Sequence, residues 1–561
     1  MAASHEKPIH QQPKLCEHIL SQASTSGVVL RIGASSIPQA GSGLFALSDI
    51  PAGSEIFHSI PLITAAESAH EGTCDFCFYN SGSSINRDGR FYSSNTDDDA
   101  RPAVTCCGAC KVARYCSKEC QTKAWKSYHK FECKILRDSP PITSLVQALC
   151  RLLIWIKRGT LLEDDMRVIV ALETKFEAHL ERTRQLAGDD GPEIDKSLEV
   201  SQNLHSVIKP GISLGLCRQL YCMLSINGLA IRPPELEVAH GTCLDLVVSL
   251  INHCCDENAH IFFEGRELRC RAVKNIAAGT EITVCYPDGR QDVLNRRSVL
   301  KDQFFFTCDC SKCKSDMAEH VAAAVKRQNN LEVLTKGQDD LIQLENKHVW
   351  AFNGSARNIK TVMEYQTGLL DIEEKVYQGG NWPDHIEPMP SALRALGDMY
   401  LELKYVVGLE FALKGTFYSR TQNGTRWVLD LMKLVKYIIY ILQERDDALN
   451  WTGAAPPQLL GHGRTLFTTA RGYLVAVCLS SKFTFGLDTK YVQAVYHWAG
   501  DLIEMPGHPS IDTKAFREHF KSSQDRLLTW AKMKTGRGLE LPSEQVMAEF
   551  RQEIAAFNTA G

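Results

Sequence analysis

The sequence contains no run of about 18 apolar residues, the length a helix needs to cross a bilayer, so no transmembrane helix is expected. It has no excess of positive charge: 62 Lys and Arg stand against 66 Asp and Glu, for a net charge of −4. An overall basic field that would draw in nucleic acid is missing, and direct nucleic-acid binding is not expected. The opening residues, MAASHEKPIHQQPKLCEH, lack the apolar core of a secretory signal. A cytoplasmic or nuclear compartment follows as the expectation. The Asn-x-Ser/Thr triplets at Asn353, Asn423 and Asn450 are then chance matches, since glycosylation needs secretion. No carboxylate pair or nucleophile triad stands out.

What the chain does have is cysteine, 21 in 561 residues. In a reducing compartment disulfides are not the expected use, and clustered cysteines point to metal. The length calls for several domains. Residues 1–26 read as a loose tail. Residues 27–73 carry β-branched runs punctuated by Gly and Pro, which reads as short strands. Residues 74–133 are cysteine-rich and polar. Across 140–232 the apolar spacing is helical, as in SLVQALCRLLIWIKRG, with AGDDGPEIDKS interrupting it. Residues 233–290 return to strands, HIFFEGRELRCRAV reading as a hairpin that turns at Gly265. A compact cysteine group follows within 291–316. Residues 320–561 are helical throughout, and LGDMYLELKYVVGLEFALKG half-matches the opening of a tetratricopeptide repeat. A helical array and an ordinary helical bundle fit that last segment equally well. The fold class is therefore α+β: a β-rich part with insertions, and an all-α C-terminal domain.

The first cysteine block holds four close pairs: Cys74 and Cys77, Cys107 and Cys110, Cys116 and Cys120, His129 and Cys133. Zinc takes four thiolate or imidazole ligands, and pairs two or three residues apart chelate from one turn, so eight ligands imply two zinc ions. Metal would supply folding energy to a segment too polar to hold a core of its own. The spacing from Cys107 through KVARYCSKECQTKAWKSYHKFEC resembles a MYND zinc finger. That resemblance implies interleaved sites, Cys74, Cys77, Cys116 and Cys120 on one zinc and Cys107, Cys110, His129 and Cys133 on the other. The stretch between the first two pairs is long and disorder-like, and Cys106 is a spare neighbour of Cys107. Basic residues at Lys111, Arg114, Lys118, Lys123, Lys126 and Lys130 read as a solvated face. In the second group, Cys308, Cys310 and Cys313 need a fourth ligand from elsewhere, and Cys254 and Cys255 both offer one.

Between these clusters lie AGSGLFA (Ala40–Ala46), where Gly41 and Gly43 flank Ser42 in what reads as a turn between strands, INGLAI with Asn227, SLINHCCDENA with Asn252 and His253, and GTEITVCY ending on Tyr286. Taken singly, each has a plain explanation as a turn, a helix cap or a half-buried tyrosine. In this order, with the finger between the first and the rest, they resemble the SET and MYND protein-lysine methyltransferases. The resemblance covers roughly residues 27 to 316. It implies a split SET domain, with Asn252–His253 threading a knot-like crossing. It implies S-adenosylmethionine bound by Gly41, Ser42, Gly43, Asn227, Asn252, His253, Tyr286 and Phe306, with Tyr286 as the catalytic tyrosine. It implies a third zinc on Cys255, Cys308, Cys310 and Cys313. The implied substrate is a protein presenting a lysine, histone or non-histone, with proline-rich peptides as further partners of the finger; a monomer is expected. Three positions depart from the family's pattern. Phe304 stands where a second tyrosine is common, Cys254 where serine is, and Glu257 where proline is.

Overall fold

The computed structural model describes residues 7–560 apart from 69, 87, 92–100, 140–141, 187–194, 237, 288–290, 327–330, 355, 378–388, 419–423, 445–448, 450–462 and 534–535. Asn423 and Asn450, residues 92–100 of the finger's insert and most of the AGDDGPEIDKS segment lie outside the described residues.

The chain divides into two compact units. One runs through Tyr286 and includes Val299–Cys308 and Thr489–Tyr491; the other comprises Pro287–Ser298, Asp309–Asp488 and Val492–Gly561.

The first unit is built of short strands. β1 (Leu30–Ala34) pairs antiparallel with β2 (Ser42–Ala46), Gly33 facing Gly43. β3 (Glu55–Ser59) joins the hairpin of β10 (Ala259–Glu264) and β11 (Glu267–Ala272), which turns at Gly265 with φ 62°. β4 (Ile63–Ala66) pairs with β8 (Gly241–Leu244), and β7 (Leu229–Ile231) with β8's other edge. The β4–β8 pairing joins segments far apart in sequence, so the residues between them form an insertion. β5 (Thr105–Cys106) and β6 (Arg114–Tyr115) make a small ribbon inside it. β9 (Asn252–His253) runs parallel to β12 (Thr283–Val284).

Among the described residues, nine helices belong wholly or partly to this unit. α1 is Pro13–Leu20, α2 Lys118–Ala124, α3 Lys130–Asp138, α4 Ser144–Arg158, α5 Glu163–Ala171, α6 Phe176–Leu186, α7 Lys196–Ile208, α8 Leu214–Asn227 and α9 Val293–Phe304. α4 has clear boundaries: the Thr143 hydroxyl accepts from the Val146 amide, and Gly159 takes φ 62° after the last turn. Its apolar face, with Leu149, Leu152 and Leu153 fully buried, packs with the strands in one core.

Two expectations need correction. The segment read as a loose tail is helical over α1, with Ile9, Leu15 and Ile19 buried in that same core. Apolar residues four apart on a helix share a face, and packing of that face outweighs a polar composition. Second, Ser42 and Gly43 are not in a turn but open β2; Gly41 alone takes the left-handed backbone, at φ 72°.

The second unit is helical, with long helices including Leu331–Asn353, Ile359–Tyr377, Met389–Glu402, Val407–Tyr418, Thr425–Gln443 and Gly463–Phe485. Met389–Glu402 and Val407–Tyr418 approach closely at Gly397, where an added Cβ would meet the Ala412 amide nitrogen at 2.8 Å.

Candidate active site and metal centres

Gly41 carries the turn into β2, and the space beside its Cα is open. Gly43 is glycine for a different reason: a side chain there would run into the Glu281 carboxylate and come within 3.1 Å of Asn252 Nδ2. Glu281 accepts from Ser35 Oγ at 2.8 Å and from Asn252 Nδ2 at 2.7 Å. The same Asn252 nitrogen donates to the Ser42 carbonyl at 3.0 Å, which ties the Asn-His segment to the glycine turn. From the N-terminal segment, the His10 amide donates to Ser42 Oγ at 3.2 Å.

His253 is held from both sides. The Tyr286 amide donates to its Nδ1 at 3.1 Å, so in the neutral ring the proton sits on Nε2, which faces Cys255 Sγ at 3.2 Å. Tyr286 donates its hydroxyl proton to the Ile251 carbonyl at 2.8 Å. The residue is 38% exposed as a whole, while its hydroxyl is engaged by the backbone. Burial, then the charge of Glu281, pushes the phenol well above its ordinary range. The Tyr286 ring lies 4.7 Å from Phe304 and 5.2 Å from His253, and Phe306 lies 5.8 Å from His253. Phe305 between them has φ 60° and turns its ring to His179, at 4.6 Å. Asn227 stands apart. It ends α8 and donates to the Glu173 and Met223 carbonyls at 2.8 and 2.9 Å, with no hydrogen bond to the glycine turn or to Asn252.

The described cysteines and histidines form three groups whose ligand atoms lie within 4.8 Å of one another: Cys74, Cys77, Cys116 and Cys120; Cys107, Cys110, His129 and Cys133; Cys255, Cys308, Cys310 and Cys313. Cys106 and Cys254 are in none of them. Separations within the groups are 3.5 Å for Cys77–Cys116, 3.7 Å for Cys116–Cys120 and 3.9 Å for Cys107–Cys133. A tetrahedron with metal–sulfur bonds of about 2.3 Å has edges of about 3.8 Å, so these sulfurs fit zinc. Hydrogen bonds from the Cys74 and Cys77 thiols pull Cys116 down to about 4, toward the metal-binding thiolate. A single π-helical turn, Trp125–His129, brings His129 into the second group; such turns recur where a helix must re-aim a side chain.

Behind the first two groups lies a buried charge cluster that ligand spacing alone does not reveal. Asp75 sits between Cys74 and Cys77, and Glu132 precedes Cys133. Arg151 of α4, 1% exposed, donates to both, at 2.6 Å to Asp75 and 2.8 Å to each oxygen of Glu132, and also to the Thr64 carbonyl. Its guanidinium lies 3.9 Å from the Tyr128 ring centre. Glu132 also faces His129 Nδ1 at 3.3 Å, leaving Nε2 toward Cys110 at 3.7 Å. A carboxylate behind a histidine ligand fixes its tautomer and orientation. Burial alone would raise Glu132, but the Arg151 charge and the His129 bond outweigh it and hold the acid down at about 2. One sequence signal existed: an arginine inside the apolar run ALCRLLIWI.

A family model for the SET domain matches residues 41–287. These residues are a SET domain, with the insertion between β4 and β8 splitting it. Histone-lysine N-methyltransferase SMYD3 of Homo sapiens is 29% identical over 283 residues, 49% of this chain and 59% of that protein. Histone-lysine N-methyltransferase ASHR1 of Arabidopsis thaliana is 28% identical over 291 residues, 51% of this chain and 55% of that one. SET domain and MYND-type zinc finger protein 6 of Schizosaccharomyces pombe is 27% identical over 286 residues, 50% and 51% of the two chains. The chain thus spans a little over half the length of the curated relatives it matches. Over about half of its length the chain is similar to proteins of the SET and MYND type.

Proposed function

We propose that the protein transfers methyl groups from S-adenosylmethionine to lysine side chains of a protein substrate, histone or non-histone. The observation that carries this reading is the single network joining Gly41–Gly43, Asn252, His253 and Tyr286. Gly41, Ser42, Gly43, Asn252 and His253 would hold the cofactor, with Phe306 and Tyr286 as walls; Asn227 would have to release its backbone partners to join them. The cofactor supplies a methyl group on a sulfonium centre.

The chain's own residues position the acceptor. Aromatic rings of Phe304, Phe306 and Tyr286 suit an alkyl stem and a partly cationic amine, and exclude water around it. Tyr286 is too weak an acid to act as a base at neutral pH. Its hydroxyl proton is spent on Ile251, so its oxygen is left to accept from the amine and align it. Three zinc ions would fill the three cysteine groups. At the third, Nε2–H of His253 points at Cys255, so metal and cofactor crossing share a hydrogen bond.

Relatives named as lysine methyltransferases support this reading. Phe304 favours a second one, a scaffold with weak activity whose finger binds proline-rich peptides, because the ring lacks a hydroxyl where the family commonly has one. We place the protein in the cytoplasm or nucleus, as a monomer. Calorimetric titration with S-adenosylmethionine separates the two readings: binding, followed by methylation of protein in an extract, is expected, and no binding would leave the scaffold.

A further inference from the structure

We infer that Glu281 is a cofactor-binding residue, its carboxylate facing a cationic centre of the ligand held at the Gly41–Gly43 turn. This rests on the cofactor reading above. Glu281 is 9% exposed, and its backbone bridges Phe45 of β2, the strand that the glycine turn opens. Its carboxylate lies against the Cα of Gly43 and accepts from Asn252 Nδ2, so it sits between two elements assigned to the cofactor.

The partners are the notable point. Buried carboxylates are ordinarily paired with a cation, because neutral donors repay only part of the lost hydration. Among the described residues Glu281 has two side-chain partners, Ser35 and Asn252, both neutral, and forms no ion pair with Lys, Arg or His. Its charge nonetheless reaches the site, since it adds to the upward push on the Tyr286 phenol. S-adenosylmethionine carries two cationic centres, an α-ammonium and a sulfonium. Either would complete the pairing that the protein leaves open. A purely structural role, holding Ser35 and Asn252 together, would need hydrogen-bond acceptors but no charge.

Three ligands separate these roles by titration calorimetry on the full chain: S-adenosylmethionine with both cations, S-adenosylhomocysteine with the ammonium alone, and 5′-methylthioadenosine with neither. Glu281→Gln keeps an acceptor for Asn252 and removes the charge. Its Kd for S-adenosylmethionine should rise roughly tenfold, the scale of one charge-assisted contact, while the neutral ligand is unaffected. A matching loss for S-adenosylhomocysteine assigns the carboxylate to the ammonium, and no loss assigns it to the sulfonium; both support the inference. Equal weakening of all three ligands, or of none, overturns it. If Glu281→Gln does not fold, Glu281→Asp must still weaken S-adenosylmethionine while sparing the neutral ligand. If the wild-type chain binds none of the three, it is the cofactor reading that falls.

Discussion

Arg151 and Glu132 meet through two parallel hydrogen bonds of 2.8 Å, Nε to Oε2 and Nη2 to Oε1, with both side chains at most 1% exposed. The arginine belongs to a helix of the SET insertion and the acid stands beside two ligands of a metal group, so the pair fastens the finger to the rest of its unit. Removing the cation leaves the Asp75 and Glu132 carboxylates buried without their arginine. Arg151→Met should cost about 3–5 kcal/mol, the usual result of breaking a buried pair from one side. Urea unfolding measures the loss, and a chelator should strip zinc from the variant faster than from the wild type. Unchanged stability and unchanged metal release would mean that the charges do not hold the finger.

Cys255 and Cys254 should behave differently despite being neighbours. Cys255→Ser should lose one zinc ion and weaken S-adenosylmethionine binding in the same variant, because His253 hydrogen-bonds to that sulfur. Cys254→Ser should do neither. Metal content by mass spectrometry and calorimetry decide it; metal loss from the Cys254 variant would refute the ligand assignment.

Phe304 lies 4.7 Å from Tyr286, close enough for an added hydroxyl to bear on the acceptor amine. Phe304→Tyr should change the number of methyl groups added or the rate of addition, read by mass spectrometry of the products. Identical products at identical rates would remove Phe304 as a determinant.

Stability should fall on mild acidification. Burial lowers His240 to about 4, with His70 adding to it, and burial lowers His260 to about 4, with Arg271 adding. Both rings are neutral in the folded protein yet take a proton near pH 6.5 when unfolded. Between about pH 6.5 and 4 the unfolded chain therefore binds more protons, and stability present above that window is lost as pH drops through it. His240→Asn should flatten the slope of unfolding free energy against pH in that window. A slope unchanged by that substitution would place the proton uptake elsewhere.

Local spacing made much of the site readable. Ligand pairs, the Gly265 hairpin and the order of motifs are contiguous patterns, and the structure brings each set of four ligand residues together. The missed parts depend on distance along the chain. Ser35 and Glu281 are 246 residues apart, and Arg151 and Asp75 are 76. No periodicity reports such contacts. Local spacing reads Gly43 as part of a turn between strands, whereas the structure shows it making room for the Glu281 carboxylate. The N-terminal segment looked unpatterned because a helix of eight residues offers too few positions for its period to emerge from composition.

Phe305 holds φ 60°, a backbone state that costs a bulky residue roughly 1–2 kcal/mol. Its neighbours on either side consequently diverge, Phe304 toward Tyr286 and Phe306 toward His253. The aromatic triplet is thus a fork cast in the main chain rather than three independently chosen rotamers. Exchanging one ring for another on such a fork alters its chemistry while leaving its outline alone, which lets a lineage retune how a guest is handled without rebuilding the walls around it.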